Sequence, residues 1–277
     1  LIAIAAPKIP GQVRHFAQCC ANIRDQQVEI GLKLASYRSD TIVLVGDAGA
    51  IPYVSGKHAL DALGLGSFRF VHAAVQGEAS VLEEIEALPP HARPTHLALY
   101  PNWFANLSSR FGHEVDRVTI ANNIIGGGPT KVIYEADWSA MPSASSPIAA
   151  VCQEADVAHL PSEQRARYAA PQPHGGWTTV DIRGGAFDGG RIIPDGTSES
   201  FVATCAGPVE VRMRIDDAAR GITLRGVGAM ELEPPSGAQW RIAKIRVAKL
   251  TAGERLTFEA HGSEYRDHHI WVLDTKE

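Results

Sequence analysis

The chain has 277 residues, 45% hydrophobic and 21% charged, a composition that fits a folded globular protein and excludes a collagen-like or disordered one. Lysine and arginine number 26 against 31 acidic residues, for a formal net charge of −5, and no basic run of five or more occurs, so nucleic acid is excluded as a partner held by bulk charge. No segment approaches the roughly 20 apolar residues needed to cross a bilayer.

Leu1–Ala6 is an apolar run closed by Pro7, with no charged stretch before it of the signal-peptide kind. It reads either as a short buried strand or tail, or as the last turns of a membrane helix. Ile23, Gln27, Ile30 and Leu34 then recur at helical spacing and predict a helix over about 22–37, with Asn22 as its N-cap. Thr41–Val45 predicts a buried strand that ends in the turn Gly46-Asp47-Ala48-Gly49, and Ile51–Val54 a second short strand. A helix follows over about 78–88, stopped by Pro89-Pro90. Strands are predicted at about 95–100, 115–120 and 131–136, with Gly126–Gly128 as a turn between the last two. Alternating helices and strands predict an α/β module over 1–140 with partly parallel pairing. Residues 141–176 read as a linker holding a short helix at 162–168. From 177 the pattern turns to strand after strand: Val209, Val211, Met213 and Ile215 alternate with Glu210, Arg212 and Arg214, and further runs follow at 222–224, 240–250, 256–260 and 269–273. This predicts an all-β, jelly-roll-like sandwich over 177–277, of the kind that serves as a carbohydrate-binding module.

Chemistry-bearing patterns are few. The carboxyl end of a strand in an open α/β sheet is where ligands bind, which makes Asp47 a candidate acceptor for sugar hydroxyls, with Tyr53 as a flat face bearing a polar tip. The competing reading of Asp47 is an Asx turn. The stretch matches neither a dinucleotide nor a nucleotide-triphosphate loop, and no helix is expected directly behind it. Eleven histidines form no H-x-x-x-H or H-E-x-x-H, and His268 and His269 on one strand are expected on opposite faces. No metal, no cofactor and no serine nucleophile is expected. The five tryptophans, Trp103 among them, read either as core or as sugar-stacking platforms. The four cysteines read as buried free thiols, with a Cys152–Cys205 disulfide open as the alternative.

Several motifs occur together and in order: Asn22-Ile-Arg-Asp-Gln-Gln-Val28, Gly46-Asp-Ala-Gly-Ala-Ile-Pro-Tyr53, Ala59-Leu-Asp-Ala-Leu-Gly-Leu65, Ala98-Leu-Tyr-Pro-Asn-Trp103, Lys131-Val-Ile-Tyr-Glu-Ala-Asp-Trp138 and Asp188-Gly-Gly-Arg-Ile-Ile-Pro194. From about Asn22 onward the chain resembles the soluble extracytoplasmic C-terminal region of bacterial multi-spanning membrane proteins, glycosyltransferases of GT-C type that use polyprenyl-phosphate sugars. The resemblance implies a region that binds or positions the acceptor glycan at the periplasmic or extracytoplasmic face of the membrane. Its partners would be a glycan or lipid-linked sugar and the membrane domain of the same polypeptide. The catalytic carboxylate of such enzymes lies in an early loop that this chain does not contain, so no catalytic residue carries over. Asp47, Tyr53 and Asp61 match the motif, and together with Trp103 they form the expected ligand-binding set. The alternative is a free-standing carbohydrate-binding or cell-envelope protein without catalytic activity.

Overall fold

The computed structural model describes residues 8–141, 150–171, 178–183, 186–234 and 240–275. The expectations for Leu1–Ala6, for the stretch 142–147, for the loop ending at Gly176 and for Trp177 lie outside the described residues. The chain forms two compact units: Leu1–Val71 with Leu88–Trp138, and His72–Ala87 with Ser139–Glu277.

In chain order α1 (Ile9–Asn22) runs through a π-helical turn (Ile23–Val28) into α2 (Glu29–Ala35). Then come β1 (Ile42–Val45), α3 (Ala50–Ser55), β2 (His58–Asp61), α4 (Phe68–Gln76), α5 (Glu78–Glu86), a 3-10 turn (Pro90–Ala92), β3 (His96–Leu99), α6 (Ala105–Phe111), β4 (Gly112–Thr119) and β5 (Thr130–Ala136). The remaining elements are β6 (Val151–Asp156), α7 (Leu160–Ala166), β7 (Thr178–Arg183), β8 (Ala186–Ile193), β9 (Ser198–Val202), β10 (Gly207–Ile215), β11 (Gly221–Leu224), β12 (Gly228–Ala229), β13 (Glu231–Leu232), β14 (Arg241–Leu250), β15 (Arg255–His261) and β16 (Tyr265–Asp274).

The first unit is built on one sheet of order β2-β1-β3-β5-β4. β1 is parallel to both β2 and β3, while β5 returns antiparallel to β3 and β4 antiparallel to β5. Ile30 and Leu34 of α2 and Ile51 of α3 pack on Val43, Val45, Ala98 and Ile133 of the sheet. Two local expectations fail here. Ile51–Val54 is helix rather than strand, because Pro52 suits the first turn of a helix and Gly56, at φ 64°, supplies its left-handed cap. A helix therefore does open directly behind Gly49. Asn22 is no N-cap, since helix already runs from Ile9. Its side chain instead donates to Asn122 O at 2.7 Å and accepts from Ile124 N at 2.8 Å.

The second unit is a sandwich of two antiparallel sheets. One has the order β13-β14-β10-β16-β8-β7 with β6 also paired to β16, and the other the order β12-β11-β15-β9. Val211, Met213 and Ile270 of the larger sheet meet Phe201, Phe258 and Ala260 of the smaller in one buried core. The period-two pattern of β10 has this cause: its apolar residues face that core. The stretch 141–176 is more than linker, for β6 within it is a strand of the larger sheet. Residues 72–87, which the sequence pattern assigns to the α/β module, go with the sandwich. A disulfide joins Cys152 of β6 to Cys205 in the loop after β9, closing a separation of 53 residues. The reading of four buried thiols is thereby corrected: Cys19 is half-buried, Cys20 is exposed, and both are free.

Within the sandwich core two carboxyl groups lie side by side. Glu199 accepts from Tyr265 at 2.5 Å and from Tyr168. Burial, followed by the neighbouring Glu199, pushes the Asp267 carboxyl well above its ordinary range. Burial also raises Glu199. A carboxyl raised in the folded state stabilises the fold fully at pH below its unfolded value of about 4, and that stability is lost as pH climbs through the folded value. Asp267→Asn keeps position 267 neutral at every pH, leaving Glu199 as the one carboxyl of the pair that titrates. Melting temperatures measured from about pH 5 to 8 should therefore fall less steeply for the variant than for the parent chain. Buried Glu83 and raised Asp156 act in the same direction, so the slope shrinks without vanishing. Equal slopes would rule out a protonated Asp267.

Candidate functional site

At the carboxyl edge of the first sheet, the ends of β1 and β3 and the start of β5 bring Asp47, Tyr100 and Lys131 together. The π-helical turn faces them. A π turn carries one residue more than an α turn, and here consecutive glutamines, Gln26 and Gln27, are both buried, at 1% and 5% exposure. Gln27 Nε2 donates to Asp47 Oδ2 at 3.0 Å and to Tyr100 OH at 2.8 Å. Tyr100 OH donates to Gln26 Oε1 at 2.8 Å. Gln26 Nε2 donates to Pro129 O at 2.9 Å, tying down the glycine loop before β5. Lys131, with a side chain 0% exposed, forms an ion pair with Asp47, donates to Gln27 Oε1 at 3.0 Å and stands 4.3 Å from the Tyr100 ring centroid. Burial pushes the Lys131 ammonium down from its ordinary range, and Asp47 opposes the shift. Burial, then Asp47, pushes the Tyr100 phenol up.

This arrangement is a closed polar brace whose outer member, Asp47, keeps a side chain 35% exposed. Asp47 is not in an Asx turn. That role belongs to Asp61, 2% exposed, whose carboxylate accepts from Leu63 N at 3.0 Å and Gly66 N at 2.6 Å. Trp103 packs edge-on to Tyr100, with centroids 5.0 Å apart. Its ring explains two of the glycines: a Cβ on Gly46 would sit 2.8 Å from it and one on Gly127 2.5 Å from it. Tyr53 on α3 is 89% exposed. Of the expected ligand set, the structure brings Asp47 and Trp103 to one place, turns Asp61 to bracing its own loop and leaves Tyr53 pointing to solvent. Sequence reasoning missed Gln26, Gln27, Tyr100 and Lys131. The adjacent glutamines in an otherwise amphipathic helix were the available signal.

In the second unit a β-bulge where β16 passes Arg214 and Ile215 breaks the alternation that would send His268 and His269 to opposite faces. Both join one cluster: His268 lies against Trp240, His269 stacks on Trp271, and Arg214 lies over both tryptophans. Trp271 is only 3% exposed, and Trp240 Nε1 is held by Asp181 Oδ2 at 3.1 Å. Among the described tryptophans Trp103, Trp138 and Trp240 are half-buried and Trp271 is buried. Among the described residues no group of three His, Cys, Asp or Glu could hold a metal ion.

An open basin of about 500 Å³ lies at a loop end of the sandwich, lined by Arg165, Arg167, Val202, Ala203, Thr204, Ala252 and Gly253. Both arginines are exposed, and Arg255 stands beside them, donating to Ser200 Oγ at 2.9 Å. Among the described residues none of the three arginines has an ion-pair partner within salt-bridge distance. Arg167 caps α7 at φ 48°, a left-handed conformation that glycine adopts freely and that costs any residue with a Cβ. The wall is fixed from behind: Gln153 accepts from Thr204 N at 2.7 Å and donates to Val202 O at 2.9 Å, next to the disulfide. Hydroxyl and guanidinium donors over a small apolar floor suit a polar ligand with a negative group.

The model of the family described as "Domain of unknown function (DUF8728)" matches residues 21–169. The chain belongs to this family. No curated protein matches it. Similar solved structures include carbohydrate-binding modules. One, from Cellvibrio mixtus lichenase 5A in complex with cellotriose, is 14% identical over 46% of this chain and 99% of that one, at a TM-score of 0.29. A second, from Clostridium stercorarium in complex with cellobiose, is 13% identical over 39% and 87%, at 0.29. A third, a family 6 module from Clostridium cellulolyticum in complex with xylose, is 11% identical over 44% and 97%, at 0.28. The part of the DUF8728 match beyond the first unit takes in α5, β6 and α7 and ends before β7.

Proposed function

We propose that this DUF8728 chain is a non-catalytic, extracytoplasmic glycan-binding region, and that its ligand carries an anionic group that enters the basin of the sandwich. The observation that carries the reading is Arg167: a large cation occupies a backbone position where glycine would relieve strain, at the mouth of a concavity of ligand size. Strain retained at a cleft is the pattern of a residue kept for what it binds. The disulfide supports a compartment outside the reducing cytoplasm. The finer reading is that the region serves a membrane glycosyltransferase, holding the acceptor glycan or the phosphate end of a lipid-linked sugar. A free-standing envelope protein would use the same basin.

The test is binding of the purified chain to neutral glycans, uronate-bearing glycans and a soluble sugar phosphate. Binding to one anionic class, weakened at least tenfold in Arg167→Gly, is expected. The class bound distinguishes an acidic glycan from a phosphorylated carrier. Because glycine suits the left-handed cap, the variant should melt no lower than the parent. Indifference to Arg167→Gly, or equal binding of neutral glycans, would sink the basin as the site.

A further inference from the structure

We infer that α1 lies along an anionic lipid surface and docks the chain there. Ile9, Val13, Phe16, Cys20 and Ile23 recur at intervals of four and three residues, so they form one stripe along the helix. No described residue covers it: Ile9 is 52%, Val13 61% and Phe16 70% exposed, and Cys20 is exposed. Residues 8–18 are exposed all round the helix, which is held at its C-terminal end. Asn22, roughly 150° around from the stripe, makes the hydrogen bonds to Asn122 and Ile124 that hold α1 to the first unit.

Charge decides what covers the stripe. Over residues 8–25 the chain carries Lys8, Arg14 and Arg24 against one acidic residue, Asp25, which pairs with Arg24 at 2.6 Å, so the excess positive charge is that of Lys8 and Arg14. The whole chain is negative at −5, so this positive, apolar-striped helix is a local exception. Two such helices side by side would set like charges together, whereas an anionic headgroup layer complements them. Among the described residues no helix is long and apolar enough to cross a membrane, and an apolar stripe on an otherwise polar helix suits lying in the interface. The inference rests on this face alone and stands or falls independently of the basin.

The experiment is co-sedimentation of the whole chain with phosphatidylcholine vesicles, with and without phosphatidylglycerol. A polarity-sensitive dye on Cys20 of a Cys19→Ser variant gives a second readout. Partitioning to the anionic vesicles with a blue shift of the dye is expected, weakened by salt. Val13→Ser with Phe16→Ser should lower partitioning at least tenfold, and Arg14→Gln about fivefold. Both changes fall on exposed positions, so near-ultraviolet circular dichroism should be unaltered. Arg167→Gly should partition as the parent does. Absence of partitioning, partitioning indifferent to the double variant, or a vesicle-free dimer lost in the double variant would each overturn the inference, the last in favour of a second copy of the chain.

Discussion

Replacing Asp47 by asparagine is expected to lower the stability of the first unit by about 3–5 kcal/mol, the cost of leaving a buried charge uncompensated. Lys131 Nζ has no access to water, and its countercharge is Asp47. Asparagine preserves size and can keep one acceptor oxygen toward Gln27 and Lys131, so the loss reports chiefly the charge. The reverse change should be milder. Lys131→Met leaves Asp47 unpaired, yet that side chain is 35% exposed and can recruit water. Removing both charges, as Asp47→Leu with Lys131→Met, should recover most of the loss, because an apolar pair owes no desolvation. Urea unfolding followed by tryptophan fluorescence, to which Trp103 on the same Tyr100 contributes, reads all three. Equal costs for the two single variants would show that the brace does not depend on which charge is buried. The same result bears on function: a loss of activity in Asp47 variants cannot be credited to ligand contact until stability is accounted for.

Glu163→Ala is expected to have an effect of similar size in the second unit, about 3–5 kcal/mol. Glu163 grips Arg191 of β8 through two bonds, Nε to Oε1 at 2.5 Å and Nη2 to Oε2 at 2.7 Å, with side chains 10% and 6% exposed. Oε1 also accepts from Ala158 N at 2.9 Å, at a residue with φ 78°. The variant removes the carboxylate opposite a buried guanidinium and the acceptor for a buried amide together. Glu163→Gln keeps an acceptor oxygen and should cost less. Calorimetry would resolve the two, and a loss under about 1 kcal/mol for Glu163→Ala would show that water replaces the carboxylate.

Much of this architecture is legible in the sequence because it follows from periodicity. Thr41–Val45, His96–Leu99 and the alternating run of β10 are strands for the reason their patterns suggest: each has a face or both faces to bury. Where the pattern misleads, short-range geometry is responsible. Ile51-Pro-Tyr-Val54 carries strand-like apolar residues, but Pro52 and Gly56 bracket a helical turn. At His268 one extra residue in a ladder overrides alternation. The polar brace was only half visible. Asp47 stood out by its place after a strand, whereas Lys131 sits more than eighty residues away and looks like any lysine at a strand's start. Its partner is chosen by the order of strands in the sheet, which no local window contains. The basin was invisible for a related reason, since α7, the β9–β10 loop and the β14–β15 turn meet only once the sandwich has closed.

The chain leaves the first unit after Val71, supplies α5 to the second, and returns at Leu88. From Ala79 to Ile85 every residue of α5 is buried, and Glu83 accepts from Gly189 N at 3.1 Å on β8. During synthesis α5 therefore emerges long before the strands it packs on, while the first unit still awaits β3 to β5. Neither unit is complete when the ribosome reaches the other, and their assembly is interleaved rather than successive. A gene fragment begun at Ser139 would lack the helix that seals β7 and β8, and one ended at Trp138 would carry that helix with nothing to seal. Severing these units cleanly would take a splice at two places, with the ends at Val71 and Leu88 rejoined by a short linker.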